Sequence, residues 1–371
     1  MAAGSLSSVN IILAGGGTAG HTSPLIATAQ QLVRLDPSAR LLCVGTPKGL
    51  ESRVIPEAGL DLALIPPVPL PRRPTVELLA VPARLAGAVK QASALLREHR
   101  ADVVAGFGGY VSLPVYLAAR RAGVPVVLHE QNAVPGLANK VAARFARHVA
   151  VTFPDTRLPH AEFVGLPVRE AIAGLDRAAA RDAARAGFDI GGDGPVLLVS
   201  GGSQGARSIN LALVGIVDDL LRHGVNVLHV LGQANVTSET VRRSDAATGA
   251  AYVPLAYVDA MQDAYAAADL MLGRSGAGTV METAMVGLPT IFVPLPHGNG
   301  EQARNAGFLV EADAAVLIPD SEVGTGILGP TVLGLLGDPA RLAAMSETCR
   351  RLVPSGAAEA LARLVLSAGG E

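Results

Sequence analysis

The chain has 371 residues, 50% hydrophobic and 17% charged, which is too apolar for a disordered polypeptide and ample for sizeable cores in two or three domains. Thirty Lys and Arg against 32 Asp and Glu leave a formal net charge of −2, without the basic footprint of a protein devoted to nucleic acid. Two cysteines, Cys43 and Cys349, are too few for a disulfide framework and lack zinc-ligand spacing, and no uncharged apolar stretch reaches the ~20 residues that cross a bilayer. The first apolar run, Val9–Ala14, has no basic region before it and enters the turn Gly15-Gly16-Gly17-Thr18-Ala19-Gly20, so it reads as a strand rather than a signal peptide. A helix is predicted from there through Leu35. Further apolar runs follow at Ala39–Gly45, Leu62–Ile65, Val103–Gly106 and Val124–His129. Each is continuous rather than alternating and precedes a helix-period segment, the signature of parallel strands buried on both faces.

A second series begins after Arg169, with runs at Val196–Ser200, Val225–Val230, Ala251–Pro254, Leu270–Gly273, Thr290–Pro294 and Ala315–Ile318. It opens as the first does, on a strand, a glycine-rich turn and a helix. The expected fold class is α/β, with two Rossmann-like doubly wound domains facing across a cleft. Domain boundaries are predicted at 1–165 and 166–354, with a hinge near Phe163–Arg169. An amphipathic helix over Ala357–Ser367, within the segment 355–371, is expected to rejoin the first domain.

Glycines at Gly15–Gly20 let a phosphate approach the backbone amides at a helix N-terminus. A dinucleotide site would also need an acid at the end of the second strand, and Cys43-Val44-Gly45-Thr46-Pro47 offers none, so NAD is not expected. His21 opens the helix beside its positive end, which disfavours the protonated imidazole. It is either a candidate general base or a solvent-exposed first-turn residue. Gly201-Gly202-Ser203-Gln204-Gly205 forms a second anion cradle or an ordinary capped turn, with Ser203 adding a hydroxyl. Arg274-Ser275-Gly276-Ala277-Gly278-Thr279 is a third turn before a helix. Glu282 lies one turn further on, where a carboxylate can accept both hydroxyls of a ribose. Gln302 and Asn305, at helical spacing after the next strand, are amides suited to sugar hydroxyls.

In combination these segments resemble the MurG family of bacterial peptidoglycan glycosyltransferases. The likeness runs nearly end to end through GGGTAGHTSP, GFGGYVSLP, HEQNAVPGLANK, GLPVRE, GGSQGARSIN and GRSGAGTVMETAMVGLP to EQARNA. It implies a GT-B enzyme that moves N-acetylglucosamine, with inversion, from UDP-N-acetylglucosamine to the 4-hydroxyl of the N-acetylmuramyl moiety of undecaprenyl-linked lipid I. The product would be lipid II, for cell wall synthesis. By position, Ser203 and Gln204 would meet the diphosphate, Arg169 the nucleotide, the Val258 backbone the uracil and Glu282 the ribose. Ala277, Gly278, Thr279, Gln302 and Asn305 would line the sugar. Thr18, Ala19 and Gly20 would meet the acceptor diphosphate, with His21 as candidate base and Asn132 beside the reacting centre. The chain departs from the family pattern at Leu166, Glu301 and His229-Val230-Leu231-Gly232. No Asp-x-Asp occurs, so no obligatory metal or other cofactor is expected. Another GT-B nucleotide-sugar enzyme, an epimerase or a two-lobed binding protein are the alternative readings.

A lipid-linked acceptor implies peripheral attachment to an anionic surface at the cytoplasmic face of the membrane. Leu70-Pro71-Arg72-Arg73-Pro74 and Thr75–Arg100 mix Leu78, Leu79, Leu85 and Val89 with Arg84 and Lys90, and Lys140 is a further basic candidate. An ordinary amphipathic helix packed on the domain core accounts for the same pattern.

Overall fold

The structure, a computed structural model, describes residues 8–68, 80–202, 205–238, 240–297 and 299–370. Its first seven strands are β1 (Asn10–Ala14), β2 (Arg40–Gly45), β3 (Leu62–Leu64), β4 (Val103–Gly106), β5 (Val126–Glu130), β6 (His148–Val151) and β7 (Ala161–Phe163). They form one parallel sheet in the order β3-β2-β1-β4-β5-β6-β7. A second sheet contains β8 (Val196–Ser200), β9 (Asn226–Val230), β10 (Arg243–Ser244), β11 (Ala251–Leu255), β12 (Leu270–Gly273), β13 (Thr290–Phe292) and β14 (Ala315–Leu317). Its order is β10-β11-β9-β8-β12-β13-β14, parallel except where β10 runs against β11. With β10 set aside, the second sheet repeats the winding of the first. Each reverses direction of growth beside its opening strand, β1 or β8, and such a switch point leaves a crevice outside the carboxyl ends of the strands.

The apolar runs become strands because β4, β5, β8, β9, β12 and β13 are buried at every residue. In β1 the period of two sorts Ile11 and Leu13 into one core and Ile12 and Ala14 into the other. The first core is closed by helix Ala19–Leu35, through Leu25 and Leu32, and by helix Ala357–Gly369, through Leu361 and Val365. Each such side chain contributes roughly 1.5–3 kcal/mol on burial. Three strands fall outside the predicted set. β7 and β10 are exposed at every residue, so only their ladder hydrogen bonds mark them as strands. β6 is a run of four residues that opens on the half-buried His148, close behind helix Leu137–Ala142.

The chain divides into two compact units, Met1–Arg169 with Gly356–Glu371, and Glu170–Ser355. In the first, Gly369 ends the C-terminal helix so tightly against the sheet that a Cβ there would lie 2.8 Å from Val9 Cγ1 and 3.0 Å from Val103 Cγ1. Cys43 and Cys349 are both buried free thiols. Among the described residues no helix is long and apolar enough to cross a membrane. Helix Val81–His99 turns Ala88, Ala92 and Leu96 inward, and Leu85 and Val89 pack half-buried beside them, while Arg84 and Lys90 are exposed. On this helix the apolar stripe is therefore core. Leu70–Pro74, Leu78 and Leu79 lie outside the described residues.

Candidate functional site

In the first unit two glycine loops meet at the switch point. A Cβ on Gly15 would lie 2.9 Å from Phe107 Cβ, and one on Gly109 (φ +83°) 2.5 Å from the Gly16 carbonyl, so the loops after β1 and β4 pack backbone to backbone. Thr18 caps helix Ala19–Leu35 in extended conformation without a side-chain cap bond, and its hydroxyl instead lies 3.1 Å from His21 Nδ1. Thr18, Ala19 and Gly20 are exposed, while His21 is half-buried. Gly108 lets the His21 ring pack close, since a Cβ there would sit 3.3 Å from its Cδ2. Burial of the ring lowers its pKa below the ordinary imidazole value, against the opposing pull of the Gly16 backbone and the Glu51 charge. The direction is the one expected for a helix terminus, but burial is the main cause.

Glu51 had no role in the sequence reading. It opens the helix after β2, is fully buried, and sends its carboxylate under the first glycine loop. Oε2 accepts from Gly17 N at 2.7 Å; Oε1 accepts from Thr46 N at 2.9 Å and Thr46 Oγ1 at 2.7 Å. Burial raises its pKa, but these hydrogen bonds outweigh that cost and hold it below the ordinary value. An acid thus does reach the carboxyl end of β2, from six residues beyond it. It occupies a loop amide itself.

The His129–Asn132 segment is fixed from below. Glu130 Oε1 accepts from Asn132 N at 2.9 Å, and Oε2 accepts from Gly136 N and Asn139 Nδ2, both at 2.9 Å. Tyr116 donates to Asn139 Oδ1 at 2.9 Å. Asn139 Nδ2 would lie 3.4 Å from a Cβ on Gly108, the same glycine that faces His21. Asn132, half-buried, is linked in this way to the wall behind His21. His129 Nε2 lies 2.8 Å from the Gly165 carbonyl and Nδ1 lies 3.0 Å from Gln131 Nε2. The carbonyl can only accept and the amide nitrogen only donate, so the ring is neutral with its proton on Nε2. Burial pushes its pKa down to about 4.

In the second unit the candidates come from the loops after β8, β11, β12 and β13, all at one sheet edge. Gly202 and Gly205 have φ of +83° and +74°, and a Cβ on Gly205 would lie 1.9 Å from the Leu231 carbonyl. Ser203 and Gln204 lie outside the described residues. Val258 is buried in the loop after β11, and Arg169 is exposed at the end of the first unit. Helix Ala277–Met285 starts at Gly276 without a side-chain cap, with Ala277 buried and Gly278 and Thr279 half-buried. Ser275 Oγ is buried with no hydrogen-bond partner among the described residues. Glu282 is half-buried, and its Oε2 accepts from the buried Tyr265 hydroxyl at 2.8 Å. Gln302 Oε1 accepts from Leu295 N at 2.9 Å, and the fully buried Asn305 donates from Nδ2 to the Ser275 carbonyl at 3.3 Å. The two amides therefore brace the loops after β13 and β12. His229 is also structural. It lies between the Tyr252 hydroxyl (2.9 Å) and Asn210 Oδ1 (3.1 Å), fully buried, with its pKa down to about 4 through burial.

The comparisons with known proteins agree with the two-unit α/β fold. Residues 11–151 match the glycosyltransferase family 28 N-terminal domain and residues 196–361 its C-terminal domain. The chain is 58% identical over 372 residues to a UDP-N-acetylglucosamine–N-acetylmuramyl-(pentapeptide) pyrophosphoryl-undecaprenol N-acetylglucosamine transferase of Cutibacterium acnes, with 97% of each chain covered. It is 54% identical to the enzyme of that name from a Nocardioides species, over 97% of this chain and 98% of the relative. Among solved structures, Acinetobacter baumannii MurG matches with a TM-score of 0.78 and 28% identity, over 97% of this chain and 99% of that one. The glycotransferase of kitacinnamycin, at 17% identity and a TM-score of 0.69 over 97% and 99% of the two chains, shares the fold. Matched in both halves and along nearly its whole length, the chain belongs to glycosyltransferase family 28.

Proposed function

We propose that the chain transfers N-acetylglucosamine from UDP-N-acetylglucosamine to the 4-hydroxyl of the N-acetylmuramyl moiety of lipid I, forming lipid II for peptidoglycan synthesis. The observation that carries this reading is the near full-length identity of 58% to a relative named for that reaction. A different acceptor or an epimerisation is not favoured.

The second unit is the donor half in this reading. Ser203, Gln204 and the amides of the turn meet the diphosphate, with Arg169 as a cation. The Val258 backbone meets the uracil and the Glu282 carboxylate the ribose. Ala277, Gly278 and Thr279 present a helix N-terminus to the sugar, and Gln302 and Asn305 hold the loops around it. The first unit takes the acceptor, its diphosphate at Thr18, Ala19 and Gly20. Gly17 is excluded from that role because its amide already donates to Glu51. The acceptor hydroxyl attacks the anomeric carbon, the bond to the UDP oxygen breaks, and the configuration inverts. His21, neutral through burial, takes the hydroxyl proton, and Asn132 orients the acceptor. UDP departs with a new negative charge, met by helix-terminal amides and Arg169.

No metal is obligatory in this scheme, since amides and a cation supply the charge. The enzyme works as a peripheral protein at the cytoplasmic membrane face, with Arg72, Arg73, Arg84, Lys90 and Lys140 as the basic residues that attract anionic lipid. The test is incubation of the full chain with labelled UDP-N-acetylglucosamine and a short-chain lipid I analogue, with and without EDTA. Labelled disaccharide product in both tubes is expected. Label released only as free sugar would overturn the transfer reading, and activity lost to EDTA and restored by a divalent cation would overturn the metal-free one. Binding to anionic vesicles that is unchanged in Arg72→Glu/Arg73→Glu would remove that part of the membrane assignment.

A further inference from the structure

One guanidinium ties together the loops that follow four neighbouring strands of the second sheet. Arg274, at the end of β12, donates from Nη1 to the Val293 and Pro294 carbonyls after β13, each at 3.1 Å. The same nitrogen lies 2.5 Å from Asp320 Oδ1, in the loop after β14. Nη2 donates to Ser208 Oγ at 2.9 Å, and the Ser208 hydroxyl donates to the same Asp320 oxygen at 2.6 Å. Ser208 stands in the first turn of helix Arg207–Val214, which follows the β8 glycine turn. The Arg274 and Asp320 side chains are only 12% and 18% exposed, so the triangle is shielded from competing water. None of its contacts is an ordinary helix or sheet bond. It spends a cation and an anion at the sheet edge only to hold loops in register. Charge-assisted bonds of this kind are about twice as strong as neutral ones.

We infer that Asp320 is a positioning residue for the donor diphosphate: through Arg274 and Ser208 it fixes the helix that follows the β8 turn against the β12 loop, and so holds the diphosphate turn in place beside the turn that meets the sugar. The inference rests on the reading of the second unit as the donor half. It assigns a role to three side chains outside the substrate-contact set, and it makes Arg274 a clamp whose charge is answered inside the protein. The cation for the leaving diphosphate must then come from elsewhere.

Asp320→Asn keeps the size of the side chain and an acceptor for Ser208 but removes the charge that answers Arg274. Losing one charge-assisted contact should raise the donor KM and the inhibition constant of UDP by about tenfold. kcat, the acceptor KM and the inhibition constant of uridine, which lacks the diphosphate, should stay at their wild-type values. Ser208→Ala should move the same two constants by a smaller factor. The double variant should fall short of the product of the two single effects, because both side chains act on the same guanidinium. A loss of folding alone would not separate UDP from uridine. Should Asp320→Asn not fold, Ser208→Ala carries the same UDP-against-uridine comparison. An unchanged UDP constant in the variants, or equal weakening of UDP and uridine, overturns the clamp. Tighter UDP binding in Asp320→Asn also overturns it, by showing Arg274 to be a withheld phosphate ligand. Glu282→Ala serves as the reference. If it leaves uridine binding unchanged, the donor assignment itself fails; if it weakens uridine while Asp320→Asn spares UDP, only the clamp fails.

Discussion

Glu51 is fully buried, and it stays ionised because three donors converge on it from Gly17 and Thr46. Glutamine at this position has the right shape but turns an NH2 toward one of those donors, leaving a buried N–H pair face to face. Glu51→Gln is therefore expected to cost about 1–3 kcal/mol of stability. In the proposed reading it should also lower kcat, because the loop it supports leads directly into His21, while the donor KM stays unchanged. Steady-state kinetics with both substrates varied checks this; a rise in donor KM matching the fall in kcat would count against it. The acid of the other unit has the opposite logic. Glu282 accepts from Tyr265 at Oε2 and is only half-buried, so a ligand can reach it. Glu282→Ala should raise the donor KM by at least about tenfold, the worth of a charged hydrogen bond. Tyr265→Phe, which only loosens that carboxylate, should have a smaller effect of the same sign. His21→Ala should lower kcat chiefly, and equal losses in both parameters for Glu282→Ala and His21→Ala would dissolve the division of labour between the units.

At the scale of elements, the glycine turns work because backbone stands where a side chain would stand. Gly205 adopts φ +74° with the Leu231 carbonyl 1.9 Å from the position of a Cβ, and that carbonyl is itself held by Asn210 and Asn235. It cannot move aside without breaking both bonds. Gly205→Ala should thus displace the turn rather than be absorbed. The expected outcome is loss of UDP binding together with a stability cost of about 1–3 kcal/mol from the strained φ, measured by calorimetric titration and thermal melting. Intact UDP binding in a folded Gly205→Ala protein would show that the turn is not part of the donor site. The same elements show what a sequence can and cannot display. β4, β8 and β12 are buried on both faces and, but for Ser200 at the end of β8, carry no polar side chain, so they are legible as strands. β7 and β10 bury nothing, and their backbone ladders leave no mark on side-chain polarity. In the site, residue types near the turns were legible, whereas their partners were not. Glu51 meets Gly17 across 34 residues and Tyr265 meets Glu282 across 17, pairings made only when strands come into register. Gln302 and Asn305 show the limit from the other side. As amides near a sugar site they invite a ligand-contact reading, yet each already spends a polar atom on a neighbouring loop.

At the scale of the whole molecule, each unit is pinned by a neutral imidazole inside it. His129 joins β5 to the Gly165 carbonyl, near the end of the first unit, and His229 joins β9 to Asn210 on helix Arg207–Val214 and to Tyr252 on β11. Both rings are essentially unexposed, and burial pushes both pKa values down to about 4, from an ordinary value of 6.5. The sign of the consequence follows from proton counting. Between pH 6.5 and 4 the unfolded chain binds a proton at each of these positions and the folded chain does not, so stability falls as pH falls through that interval. The contribution is intact above pH 6.5 and fully lost below about 4. At pH 5 each histidine accounts for about 2 kcal/mol of that loss. His21, lowered in the same direction, adds to it, whereas Glu51 and Asp320, held below the ordinary carboxylate value, release their share mainly at lower pH. Denaturant midpoints measured at pH 7.5 and pH 5 should therefore differ by several kcal/mol of unfolding free energy. His229→Gln should be less stable than wild type at pH 7.5, because a buried network loses a member, yet lose less on going to pH 5, because one of the titrating rings is gone. A variant whose acid loss equals that of the wild type would show that His229 carries its proton in the folded protein, and the neutral bridge between Tyr252 and Asn210 would have to be abandoned.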